Sequence, residues 1–395
     1  VIDAEGLFLI PGVIDPQVHF REPGADHKED LHSGSCAAAA GGVTSFLDMP
    51  NNNPPVTTIK RMAEKKQLAA EKSVVNYGFF IGATPDNLEE LNAVENVCGI
   101  KIFMGASTGD LLVDDPDTLE SIFANGTKLI AVHAEDESIL QENRRLMKGI
   151  DDVRIHSRIR DESAALSATK LAVRLSIKYL RRLHILHLTT EEECDFLRTL
   201  PREHHISTEV CPQHLVLTSP ECYEHLGTKA QMNPPIRSKR HTVALWQALK
   251  DGIIDCIATD HAPHTLAEKK QPYGMSPSGM PGVETSLALM LDRVNRDLCT
   301  LPEVVYWMSE SPAKLYKMHG KGRIEVGQDA DLALIDMSLK KKVTNGKLHT
   351  RVNWSPFDGM EMQGWPVRTI VNGQTVFLNG EVNKSVRGKE ICFAS

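Results

Sequence analysis

The chain alternates between short apolar runs and amphipathic or alanine-rich stretches. Apolar runs bounded by turn residues occupy residues 13–20, 43–49, 74–80, 99–104, 129–133, 184–188, 207–211 and 255–259. Each has the length and the Val, Ile, Leu and Phe content of a buried strand. Helix-like patterns lie between them, for example at residues 32–40, 59–71, 163–180 and 242–249. In the last, Val243, Leu245, Trp246 and Leu249 share one face, and Asp251-Gly252 follows as a stop signal. Repeated strand-then-helix units predict a parallel sheet, and eight of them close naturally into a TIM (β/α)8 barrel. Long intervals before Leu183 and Asp255 leave room for extra loops or helices.

After about Ser311 the pattern changes to short strands separated by glycine-rich turns. Residues 367–371 and 374–378 flank Asn372-Gly373 and predict a hairpin with a type I′ turn. Residues 1–10 and 322–395 are therefore expected to form a small β-sandwich beside a barrel of residues 11–321. The overall expectation is an α/β chain, a barrel with a side domain.

Composition narrows the class. At 395 residues the chain can bury one large core and a satellite. The net charge of −8 argues against nucleic acid or an anionic membrane as partner, and leaves room for a small anionic substrate held by local cations. The 8 cysteines contain no CxxC, which argues against zinc fingers and a disulfide scaffold and fits a reducing, cytoplasmic setting. No apolar run approaches the ~18 residues of a membrane span, and nothing resembles a signal peptide. The sequons at Asn125, Asn353 and Asn383 therefore read as chance.

Candidate chemistry gathers at the ends of the predicted strands: His19 and Arg21, Asn51, Lys101, His133, His187, then Asp260-His261 with His264. In a TIM barrel such positions converge on one mouth. Imidazoles and a carboxylate suit zinc. Lys101 alone would read as a lysine reaching out of a strand end; N-carboxylated, it becomes an anionic ligand able to bridge two cations. Each histidine alone could be a core residue and Asp260 a helix cap. Three histidines on separate strand ends are less easily structural. Arg21 is a candidate carboxylate clamp, since its fork matches a carboxylate. Asn51 is either turn chemistry or a donor to the same carboxylate. Asp15 reads as structural, deeper along the first strand. His184, His204, His205, His214 and His241 read as structural or surface residues.

These residues sit in motifs. The chain resembles the amidohydrolase superfamily, and within it the long-chain dihydroorotases. The resemblance is carried by His19-Phe20-Arg21-Glu22-Pro23-Gly24, Met49-Pro50-Asn51, Gly99-Ile100-Lys101, Ala131-Val132-His133-Ala134-Glu135, His184-Ile185-Leu186-His187, Asn233-Pro234-Pro235-Ile236-Arg237 and Ala258-Thr259-Asp260-His261-Ala262-Pro263-His264. Gly279-Met280-Pro281-Gly282-Val283-Glu284 and Trp354-Ser355-Pro356-Phe357 extend it over essentially the whole chain. The resemblance implies an amidohydrolase-type barrel and the reversible cyclisation of N-carbamoyl-L-aspartate to L-dihydroorotate. It implies one zinc at His19 and Asp260, a second at His133 and His187, and carboxylated Lys101 between them. Arg21, Asn51 and His264 would hold the substrate carboxylate; Asn233 and the backbone at Pro281 and Gly282 would contact the ring. Asp260 would move the proton. Members are commonly dimers, so a homodimer is compatible. Loops at residues 104–115 and 275–282 are candidates for mobility.

Two departures change the expectation. The family has His-x-His on the first strand; here the first position is Gln17. An amide oxygen is a weaker zinc ligand than imidazole, so the metal at His19 and Asp260 should be weak or absent and the other retained. The family also has strands ahead of Val1, so the small domain is expected to be incomplete. Dihydropyrimidinase or allantoinase chemistry is the nearest alternative, and Arg21 and Met49-Pro50-Asn51 argue against it. A metal-poor, inactive homologue serving as partner to another pyrimidine-pathway enzyme is a further alternative, supported by Gln17 alone.

Overall fold

A computed structural model describes residues 3–107, 111–201 and 205–394. Eight parallel strands form the barrel: Val13–Val18, Val43–Asp48, Asn76–Phe79, Ile100–Phe103, Ile130–His133, Leu183–Ile185, Ile206–Val210 and Cys256–Ile257. The third continues past a bend at Phe80 into Ile81–Gly82, which changes partner from the second strand to the fourth. Closure comes from a parallel bridge between Val18 and His261, where His19 N donates to His261 O at 2.8 Å. Every residue of the first two strands is buried, as strands covered on both faces require.

Alanine-rich packing sets the first strand end. The helix Leu31–Ala40 starts on Asp30, whose carboxylate accepts from Ser33 N at 2.7 Å. Its small face lets it lie close to the barrel: a Cβ added at Gly34 would meet the Phe20 ring at 2.6 Å. Phe20 stacks on Phe46 at 4.6 Å between centroids, and Phe20 N donates to Asp48 Oδ1 at 2.9 Å. The chain just past the first strand is thus held from both sides.

Several expected elements end early, with physical reasons. The strand expected at residues 184–188 is Leu183–Ile185, because His187 takes a left-handed backbone at φ 38. The strand expected at 255–259 is only Cys256–Ile257; Thr259 turns inward and gives its N–H and hydroxyl to Asp15, at 3.0 and 2.6 Å. The helix expected at 242–249 is Lys239–Lys250, and Val243 lies on its outer face, 60% exposed, rather than with buried Leu245 and Leu249. The interval before Leu183 holds helices at Glu137–Leu146 and Glu162–Tyr179 with shorter turns between them, and the one before Asp255 holds short helices at Pro212–Val216 and Glu221–Leu226 ahead of Lys239–Lys250.

The side domain is a five-stranded antiparallel sheet, ordered Phe8–Pro11, Leu332–Lys342, Glu361–Val371, Gln374–Leu378, Glu381–Val382. Asn372 and Gly373 have φ of 49 and 80, the two positive angles of a type I′ turn. Residues 1–2, from the segment expected in the sandwich, and 108–110, from the first loop singled out for mobility, lie outside the described residues, as does His204. No helix among the described residues is long and apolar enough to cross a membrane.

Candidate active site

Five strands and their ends deliver side chains to one small cavity at the C-terminal mouth. Gln17 and His19 come from the first strand and its end, Lys101 from the fourth, His133 from the fifth and His187 from the end of the sixth; Asp260 follows the eighth. Asn233 joins them from the loop before Lys239–Lys250. Of the residues singled out at the strand ends, His19, Lys101, His133, His187 and Asp260 therefore meet, with Gln17 and Asp260 243 positions apart in the chain.

The donors fall into two groups. His19 Nε2 lies 3.0 Å from Asp260 Oδ1, and its Nδ1 lies 2.7 Å from Asn51 Oδ1. Gln17 Nε2 donates to the same Asp260 oxygen at 3.2 Å, while buried Gln17 Oε1 has no partner. On the other side His133 Nδ1 lies 3.1 Å from His187 Nε2. Buried His187 Nδ1 has no partner. Burial pushes the pKa of both imidazoles down, so each is neutral with a lone pair to offer. Burial also lowers the Lys101 ammonium to about 7, against the opposing pull of Asp260 and Glu209. Its Nζ rests 4.5 Å above the Phe103 ring.

Support behind His133 comes from a buried ion pair. Glu135 Oε2 lies 2.8 Å from His133 Nε2, and Arg160 Nε donates to both Glu135 oxygens, at 2.9 and 3.1 Å. The Arg160 charge and the His133 contact outweigh burial and hold Glu135 far below the usual carboxylate range. The arrangement fixes the ring as outer-shell carboxylates do in metal sites. Arg21, His187 and Asp260 all have positive φ, at 55, 38 and 48. Such backbone costs energy outside glycine and gathers at functional sites.

Arg21 and Asn51 line an adjoining cavity with Lys28 rather than the central one. The two spaces are linked through side chains. Arg21 Nη2 lies 3.0 Å from His264 Nε2, and that nitrogen lies 3.0 Å from Ser278 O, on a residue that lines the central cavity. Lys28 Nζ is 3.0 Å from His264 Nδ1. Burial lowers the Arg21 pKa to about 10, which leaves it cationic at neutral pH.

Pro281 and Gly282 do not line the central cavity; they border a separate one with Glu284 and Trp354, and Gly282 N points at His261 Nδ1, 3.0 Å away. Ser278 and Gly279 take their place. Gly279 must be glycine there: its φ is 132, and a Cβ would lie 2.5 Å from Ala262 O. The roles of Glu135, Arg160, Ser278 and Gly279 were not read from the sequence, although Glu135 and Gly279 stand inside motifs. A larger cavity of about 560 Å³ opens beside the central one and shares Ser107, Asn233 and Ser278 with it. In it His156 Nε2 lies 3.0 Å from Asn233 Oδ1, and Asn233 Nδ2 reaches Ser107 Oγ at 3.4 Å.

An eight-stranded β/α barrel with imidazoles, a carboxylate and a lysine at its C-terminal mouth defines a class of hydrolases that act on amides and related bonds. The chain belongs to the amidohydrolase family, whose model matches residues 8–376. It is 38% identical to a dihydroorotase of Methanosarcina acetivorans, over 98% of this chain and 86% of that protein. It is 36% identical to a dihydroorotase of Halobacterium salinarum, over 99% and 91%. Among solved structures it is similar to an L-hydantoinase (dihydropyrimidinase) from Arthrobacter aurescens, with a TM-score of 0.93 and 31% identity over 97% of this chain and 88% of that one.

Proposed function

We propose that the chain is a dihydroorotase, interconverting N-carbamoyl-L-aspartate and L-dihydroorotate plus water in pyrimidine biosynthesis. One observation carries the reading: a metal-type donor set stands beside a buried guanidinium, with Asn51 touching His19 and His264 touching Arg21. A cyclic amide bearing a carboxylate needs both halves. The dihydroorotase relatives, matched over nearly the full chain, support the same reading.

The residues fit a divalent cation. Two neutral imidazoles from neighbouring strands lie 3.1 Å apart, and His187 Nδ1 and Gln17 Oε1 are buried without partners. Imidazole and carboxylate donors suit zinc, with one or two ions per chain. His133, His187 and Lys101 would hold one ion; His19 and Asp260 would hold the other. When bound, the cation polarises the amide carbonyl and lowers the pKa of water to about 7. A lysine with a pKa of about 7 is about half neutral amine at neutral pH, the form that takes up carbon dioxide, so N-carboxylation of Lys101 is part of the proposal.

In the hydrolytic direction a water oxygen adds to the ring carbonyl next to the methylene carbon, and the ring C–N bond breaks. Asp260 takes the proton of that water and delivers it to the leaving nitrogen. Arg21 pairs with the substrate carboxylate, and Asn233 donates to the ring. Synthesis follows the same path backwards.

The decisive experiment is turnover of L-dihydroorotate by the purified protein, with and without added zinc. Turnover that rises with zinc is expected; none at any zinc level sinks the proposal. The likeness to hydantoinases motivates a second arm with dihydrouracil, which lacks the carboxylate. Dihydrouracil turned over in preference to dihydroorotate would favour that alternative.

A further inference from the structure

Below the catalytic cavity the barrel interior holds a second grouping of ligand-type side chains. His184, Glu209 and Cys256 lie on the sixth, seventh and eighth strands. One ligand atom of each lies within 4.8 Å of the others, and all three residues are fully buried. Cys256 and Glu209 are direct neighbours in the parallel register.

His184 Nδ1 lies 2.9 Å from Ser207 Oγ, which is also 3.2 Å from Leu183 O, and Nε2 lies 3.0 Å from Glu209 Oε2. When Ser207 donates to Leu183 O and accepts from Nδ1, Nε2 presents its lone pair beside the Glu209 carboxylate, the arrangement a cation would use. Glu209 Oε1 is buried without a partner, and so is the Tyr316 hydroxyl, whose ring packs on His184 at 5.6 Å. Buried polar atoms in that state are costly, and unmatched ones call for an unseen partner. The Cys256 thiol has only a weak contact, 4.0 Å from Thr208 O.

We propose that His184 Nε2, the Glu209 carboxylate and Cys256 Sγ form a second, structural zinc site in the barrel interior. Nitrogen, oxygen and sulfur donors on neighbouring strands suit zinc, and Ser207 Oγ, accepting from Nδ1, would serve as the outer-shell partner of the ring. Binding converts the thiol to a thiolate, with its proton released to solvent. The ion would tie three barrel strands together. It is separate from the strand-end donors, none of which is a sulfur.

Cobalt distinguishes the two sites, because only this one would give a thiolate-to-cobalt charge-transfer band in the near ultraviolet. Protein produced in cobalt-supplemented medium is compared with Cys256→Ser, and with Cys211→Ser as a control for another buried thiol. The expected result is a band in the wild type and in Cys211→Ser and none in Cys256→Ser. Elemental analysis should also show one cobalt fewer per chain in Cys256→Ser. Absence of the band from cobalt-containing wild-type protein would overturn the proposal, whatever the variants do. Its persistence in Cys256→Ser would overturn it equally.

Discussion

Gln17 Nε2 donates to Asp260 Oδ1 at 3.2 Å, across the closure of the barrel. The amide that replaces the first-strand histidine occupies an oxygen of a candidate ligand and offers only the weakly ligating Oε1 in return. The metal at His19 and Asp260 should therefore be lost on dialysis, while the ion at His133 and His187 stays. Gln17→His should retain about one more ion per chain than the wild type under the same dialysis. Two ions held firmly by the wild type would refute the weak-site idea.

Asp260 is the proton carrier in the proposed reaction, so Asp260→Asn should lower kcat by about 10²–10⁴-fold. Circular dichroism and the melting temperature should stay near wild type. Comparable turnover by this variant would remove Asp260 from that role.

Arg21→Lys tests the clamp more gently than truncation, because it keeps the charge and loses the fork. Charge-assisted hydrogen bonds are worth about 1.5–3 kcal/mol each, so kcat/KM for dihydroorotate should fall by about 10–100-fold. Any residual turnover of dihydrouracil should be unchanged. Equal losses on both substrates would show that Arg21 acts on the scaffold, through Pro263 O and His264, instead of on the carboxylate.

Glu135 and Arg160 are both buried, and Glu135 also touches His133. Glu135→Gln leaves the Arg160 charge without its counterion and should destabilise the fold by about 3–5 kcal/mol. Glu135→Gln with Arg160→Met should recover part of that loss. Denaturant unfolding measures both, and an unaltered midpoint for the single variant would contradict the assignment.

His156 ties Asn233 to Tyr273, and burial lowers its pKa from 6.5 to about 4. The folded state favours the neutral ring. The stability this contributes is present above pH 6.5 and is lost as pH falls towards 4, up to about 3 kcal/mol. His156→Gln should flatten the stability profile between those limits. An acid limb of the same slope in the variant would assign it to other groups.

The alternation of apolar runs was enough to place eight strands, because a parallel barrel strand buried on both faces reads as a continuous apolar segment. Their ends were less legible. His187 and Asp260 leave strand geometry through left-handed backbone, which no local pattern of apolar residues records. The structure brings His19, Lys101, His133, His187 and Asp260, each singled out by its motif, to one cavity.

By itself, the sequence determined the elements, the barrel and the residue types at its mouth, since these follow from local periodicity and short motifs. The tertiary structure alone decided which side chains touch. Closure at Val18 and His261 brings Gln17 onto Asp260. It places Ser278 and Gly279, not Pro281 and Gly282, against the cavity. It also joins Arg160 to Glu135, and His184 to Glu209 and Cys256. Such meetings depend on strand register and on the path of loops, and both are settled by packing across the whole barrel rather than by any stretch of chain.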